Sequence, residues 1–156
     1  MMKIKQCVTE MDFSIAIQIT RDYISWLNMD LSFQDIDTEF SGFPSMYGPP
    51  QGLFLIAWSK GVPAGGVGLR VFAAPICEMK RLFVYDQFKN QGIGGSLCKR
   101  LIEEAKGLGY QKMRLDTLGH MQAAIGLYKD LGFKEIEPYR FNPDPTTRYM
   151  ELDLGK

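Results

Sequence analysis

Lys89-Asn90-Gln91-Gly92-Ile93-Gly94-Gly95-Ser96-Leu97 places three glycines within four residues, between a segment that reads as a strand and one that reads as a helix. Glycines there leave successive backbone N–H groups unobstructed at a helix N-terminus. Those unpaired donors and the helix dipole together favour a phosphate or pyrophosphate. The nucleotide-hydrolysing pattern GxxxxGK[ST] is absent. The dinucleotide pattern GxGxxG would need glycine where Leu97 stands, although Asp116 lies about 20 residues on, at a strand end, as a ribose-binding acid would. A dinucleotide loop also normally follows the first strand, whereas several strands precede this one.

Working outward, Cys77–Tyr85 reads as the strand entering the loop. Leu97, Leu101, Ala105 and Leu108 recur at helical spacing, with Gly107 and Gly109 as stop signals. Lys112–Thr117 is the next strand, and a right-handed crossover lays it parallel to Cys77–Tyr85. Leu53–Trp58 and Val62–Ala73 complete an antiparallel meander with Cys77–Tyr85. Upstream, Lys3–Val8 reads as a strand. Asp12 stands where an N-cap would precede a helix running to about Asn28, and a shorter acidic helix follows to about Phe40. Ser41-Gly42-Phe43-Pro44 and Gly48-Pro49-Pro50-Gln51-Gly52 mark a turn-rich loop expected to border a site. Downstream, Ala123, Ala124, Leu127, Tyr128 and Leu131 give a helix ended by Gly132. Strands near 133–137 and 147–154 close the chain.

The 156 residues, 46% apolar and 23% charged, predict a single domain over 1–156. With 18 basic and 18 acidic side chains there is no overall field to gather nucleic acid or an anionic membrane, so neither is an expected partner. Residues 1–78 nevertheless carry a net charge of −3 and 79–156 one of +3, which predicts that the halves face different ligands. Cys7, Cys77 and Cys98 have no paired spacing and suggest neither a disulfide framework nor a metal cluster. With no apolar leader or membrane-length run, the expected location is cytoplasmic.

Glu78-Met79-Lys80-Arg81-Leu82-Phe83-Val84, Lys89-Asn90-Gln91-Gly92-Ile93-Gly94 and Ala124-Ile125-Gly126-Leu127-Tyr128-Lys129-Asp130-Leu131-Gly132-Phe133 resemble the Gcn5-related N-acetyltransferase (GNAT) superfamily. The resemblance implies an α/β fold: a mixed, mostly antiparallel sheet flanked by about four helices, splayed open beside the strand ending near Val84, with acetyl-CoA wedged into the gap. Leu82, Phe83 and Val84 then fall where backbone groups meet the pantetheine arm and acetyl carbonyl, with the N–H of Phe83 or Val84 as oxyanion donor. Lys89, Asn90, Gln91, Gly92, Gly94, Gly95 and Ser96 fall on the pyrophosphate loop. Two positions depart from the family pattern. Lys89 replaces the usual Gln or Arg and offers a point charge without arginine's planar fork. Met121 stands seven residues before Tyr128, where many members carry an asparagine that bonds the pantetheine.

Acetyl transfer from a thioester to an amine needs a neutral amine, a stabilised oxyanion and a proton for the departing thiolate. Tyr128 occupies the family's tyrosine position and is the candidate general acid; the alternative is a tyrosine merely packed on a helix face. Glu78 matches the catalytic glutamate of histone-acetylating members. Strand alternation would put it on one face with Lys80, Leu82 and Val84. It is a candidate base, or else the ion-pair partner of Lys80. His120 is expected at a solvent-facing helix start, and Cys77 on the face opposite Glu78. Asp30, Asp35, Asp37 and Glu39 would favour a cationic amine if they face the site, and Trp26, Phe43 and Tyr47 either shape a pocket or pack.

The reading is an N-acetyltransferase acting on a small-molecule amine, with acetyl-CoA as acyl donor and no metal. By analogy, homodimers would pair through the closing strand. A CoA-binding sensor with little catalysis and a dinucleotide-dependent oxidoreductase are the alternatives.

Overall fold

The computed structural model describes residues 2–28 and 35–155. In chain order the elements are β1 (Met2–Gln6), α1 (Glu10–Leu27), α2 (Ile36–Ser41), α3 (Phe43–Met46), β2 (Leu53–Ser59), β3 (Val62–Ala73), β4 (Ile76–Val84), α4 (Ile93–Gly107), β5 (Lys112–Thr117), α5 (Gln122–Asp130), β6 (Lys134–Ile136) and β7 (Arg148–Asp153). The seven strands form one sheet in the order β1-β2-β3-β4-β5-β7-β6. Every pairing is antiparallel except β4 with β5.

Both faces of the sheet are covered, which is why β2 is a continuous apolar run instead of an alternating one. Leu53, Leu55 and Ala57 join the core under α4, with Leu97, Leu101 and Ala105. Phe54 and Ile56 point the other way, to Phe13, Ala16 and Ile19 of α1 and to Phe43 and Tyr47. The turn-rich loop is therefore partly structural: α3 forms within it, and Phe43 and Tyr47 are core residues with no exposed surface.

The N-cap of α1 is Thr9, not Asp12. Thr9 Oγ1 accepts from the Asp12 N–H (3.1 Å), while the Asp12 carboxylate accepts from the N–H groups of Val8 (2.9 Å) and Thr9 (3.0 Å). Asp12 is the third-position partner of a capping box and satisfies donors one turn earlier than its own place in the helix.

The decisive irregularity lies in β4. Gly68 of β3 pairs with Lys80 and Gly66 with Phe83, so the single Val67 faces both Arg81 and Leu82. Arg81 takes a left-handed φ of +63° at this bulge. A bulge reverses side-chain alternation beyond it and increases local twist. Cys77 and Met79 belong to the α4 core, as do Leu82 and Val84, whereas Phe83 packs toward α1 with Tyr85. The shared face expected for Glu78, Lys80, Leu82 and Val84 is thus broken: Glu78 and Lys80 look toward α1, and Leu82 and Val84 toward α4. β5 pairs with β4 only over Ile76–Glu78 against Lys112–Arg114. From Met79 onward the two strands part.

Candidate active site

Two adjoining cavities occupy this gap. The larger, about 610 Å³, runs from Leu82, Phe83 and Val84 to the loop at Lys89, Asn90, Gly92 and Gly94. The smaller, about 70 Å³, lies deeper between β4 and β5 and is lined by Lys80, Asp116, Thr117, Tyr128 and Asn142. Tyr23, Leu82, Met121 and Ala124 border both.

At the outer end, α4 begins at Gly92 with a left-handed φ of +77° and no side-chain cap. The Ser96 N–H returns to the Gly92 carbonyl (3.1 Å), and the amides before it face the loop's open side. A Cβ on Gly92 would meet no protein atom, and one on Gly94 only ordinary contacts at 3.8 Å with Leu127 and Val84. Packing does not demand glycine at Gly94. What its bare backbone leaves clear is the approach to the helix N-terminus, as an anion there requires. Lys89 is held beside this point by Asp86 (2.9 Å) and lies 4.6 Å from the centre of the Trp26 ring. Gln91, Gly95 and Ser96 share the loop but do not line the cavity. Gly95 instead lies where a Cβ would touch Leu127 at 3.5 Å.

Along β4, the Tyr85 N–H donates to the Ala64 carbonyl of the β3 side (2.9 Å). Successive amides of a strand point to opposite sides, so the Val84 N–H is directed into the gap. Of the two expected oxyanion donors, Val84 has the suitable direction.

At the inner end, Tyr128 of α5 is 6% exposed and packs edge-on against Phe133, ring centres 5.8 Å apart. Burial, followed by the nearby Cys98, Tyr23 and Asp116, pushes its hydroxyl well above the ordinary tyrosine value. The phenol therefore stays protonated, the form a proton donor needs. Met121 lines both cavities and brings a thioether where a polar contact was expected.

Glu78 is brought to neither cavity. Its side chain has no exposed surface. Oε1 meets Arg70 (2.9 Å), and Oε2 meets Arg140 (2.6 Å) and the Tyr139 hydroxyl (2.9 Å). Burial would raise its pKa, but Lys80, Arg70 and Arg140 outweigh that and hold the carboxyl below its usual value. These are ion-pair contacts of the kind expected as the alternative, made here with Arg70 and Arg140. The carboxylate ties β4 to the segment between β6 and β7 that carries Tyr139 and Arg140.

The acidic segment also turns inward. Glu39 is 3% exposed and takes a two-point hydrogen bond from Arg81 (2.6 and 3.1 Å) and one from Tyr47 (2.9 Å). Asp35 and Asp37 are exposed, and Asp30 lies outside the described residues. None of Asp35, Asp37 and Glu39 lines either cavity. Cys77 faces the α4 core, away from Glu78, with its thiol pushed up to about 12 by burial. His120 is exposed at the rim of the larger cavity.

Trp26, expected to shape a pocket or to pack, lines the larger cavity. Tyr23, also on α1, escaped the sequence reading, because its spacing there signals only an amphipathic helix. Asp116, noted there only as a ribose-binding acid, has its Oδ2 buried with no hydrogen-bond partner.

A family model described as "Acetyltransferase (GNAT) family" matches residues 19–133. An uncharacterized N-acetyltransferase of Schizosaccharomyces pombe is 40% identical over 147 residues, covering 93% of this chain and 88% of the relative. Among solved structures, a GNAT-family acetyltransferase of Staphylococcus aureus superposes with a TM-score of 0.80 at 20% identity, covering 99% of both chains. The PaiA N-acetyltransferase of Thermoplasma acidophilum, in complex with coenzyme A, superposes with a TM-score of 0.73 at 18% identity, covering 98% and 99%.

Proposed function

The chain belongs to the acetyltransferase (GNAT) family, and from that premise we propose that it transfers acetyl from acetyl-CoA to a primary amine of a small molecule, by direct attack with both bound. The observation that carries this reading is the parting of β4 from β5, with an uncapped glycine-rich helix start at one end of the opening and a buried, protonated Tyr128 at the other. Acetyl-CoA supplies the activated thioester. The backbone amides at Gly92 and Gly94, with Lys89, receive its pyrophosphate. Leu82, Phe83 and Val84 offer backbone groups to its pantetheine arm, and the Val84 N–H stabilises the charge developing on the carbonyl oxygen. Tyr128 hydrogen-bonds the leaving sulfur and gives up its proton as the C–S bond breaks. A phenol is the weaker acid, so the transfer must be coupled to departure. Glu78 anchors β4 and takes no proton from the acceptor.

Calorimetric titration with acetyl-CoA, with NADH as control, followed by a screen of primary amines, tests the reading. Acetyl-CoA binds and NADH does not. Tyr128→Phe lowers kcat by about 10²-fold or more while leaving the acetyl-CoA Kd within about threefold. Equal loss of both would remove the general-acid role. Tight acetyl-CoA binding with no acetylation across the panel would leave a CoA-binding sensor.

A further inference from the structure

We propose that the small cavity receives the acceptor's nitrogen and that Asp116 is the carboxylate that takes its proton. The inference rests on the acetyl-transfer reading above. Asp116 is the penultimate residue of β5, in the stretch that β4 has left, so no strand neighbour covers it on the gap side. It lies on the face opposite Met113 and Leu115, which join the α4 core, and therefore on the side of Glu78 and Lys80. Its Oδ2 is buried without a partner. A buried carboxylate oxygen left unpaired is costly, and an N–H donor entering the cavity would remove that cost. Asp116 and Tyr128 line this same cavity, so a proton acceptor and a proton donor share one small chamber. Glu78, the fully buried carboxylate of β4, has both oxygens engaged.

The proton count closes. The acceptor arrives as an ammonium ion and passes one proton to Asp116. The freed nitrogen pair forms the N–C bond to the acetyl carbon, and the C–S bond breaks with its electron pair on sulfur. Sulfur takes the Tyr128 proton, the second nitrogen proton returns to Tyr128, and Asp116 releases its own to solvent.

The test compares wild type, Asp116→Asn and Asp116→Ala with acetyl-CoA and a panel of primary alkylamines. Asp116→Asn loses about 10²-fold or more in kcat/KM with acetyl-CoA affinity unchanged. Added formate restores part of the activity of Asp116→Ala, a gain that a purely structural side chain would not give. Full activity in Asp116→Asn overturns the role of Asp116, as does failure of formate rescue. A wild type that acetylates no amine would overturn the acetyl-transfer reading itself, a separate result.

Discussion

Arg81 is the residue on which the site's geometry turns. A non-glycine residue at φ +63° costs roughly 1–2 kcal/mol, and the two-point contact with Glu39 holds it there. Burial alone would raise the Glu39 pKa, but Arg81's hydrogen bonds and charge outweigh it and keep the carboxyl below its ordinary value. Glu39→Gln leaves the guanidinium buried against a neutral amide. Removing one partner of a buried pair typically costs about 3–5 kcal/mol. Urea melts of this variant are expected to show a loss of that order, together with weaker acetyl-CoA binding as the bulge loosens; wild-type stability would show that Glu39 does not hold the bulge. No local pattern announces the pair, because 42 positions separate its members. Glu78 illustrates the same limit. Its type and place in the strand made a base or an ion pair equally readable, and the loop that brings Tyr139 and Arg140 against it lies about 60 positions away in sequence.

Elements differ in how openly the sequence declares them. The start of α4 was legible because a glycine-rich stretch before a helix signals an uncapped N-terminus whose amides are bare. The bulge in β4 was not. Strand reading assumes a side-chain period of two, and one extra residue between Lys80 and Phe83 inverts every assignment beyond it. Its trace lies across the ladder, in Gly65, Gly66 and Gly68 of β3. A Cβ on Gly65 would lie 2.4 Å from the Phe83 carbonyl oxygen and 3.1 Å from the Val84 Cα. Those are backbone atoms that no rotamer change can move. Gly65→Ala is therefore expected to push β4 off its register and to destabilise the fold by about 1–3 kcal/mol, with acetyl-CoA binding weakened in parallel. Gly126, exposed in α5 with nothing within 4 Å of its would-be Cβ, is the control. Gly126→Ala is expected to raise stability by about 0.4–1 kcal/mol at unchanged affinity. Thermal melts and acetyl-CoA titrations of the two variants check both halves.

At the scale of the molecule, two ion pairs join the oppositely charged halves. Arg81 reaches back to Glu39, Arg140 to Glu78, and the Tyr85 hydroxyl to Asp22. These contacts tie the acidic first half to the basic second half. Ion pairing of this kind leaves the buried thiols and Lys80 to shape the alkaline stability. Burial pushes Cys7, Cys77 and Cys98 each from 9.0 up to about 12. Burial, then Arg81, pushes Lys80 from 10.5 down to about 8. Between pH 8 and 9 the unfolded chain holds a proton that folded Lys80 releases, so stability rises, by at most about 1.4 kcal/mol per pH unit. Above pH 9 the unfolded thiols ionise while the folded ones stay neutral. Three protons then oppose one, and stability falls by up to about 3 kcal/mol per unit toward pH 10.5. Near pH 10 the buried tyrosines Tyr47 and Tyr128, both raised in the fold, steepen the fall. Urea midpoints measured under reductant are therefore expected to peak near pH 9. Lys80→Met removes the rise below the peak, and Cys98→Ala makes the decline above it shallower by about one proton. A profile flat from pH 8 to 10 would mean that these groups titrate alike in the folded and unfolded chain, which their burial does not allow.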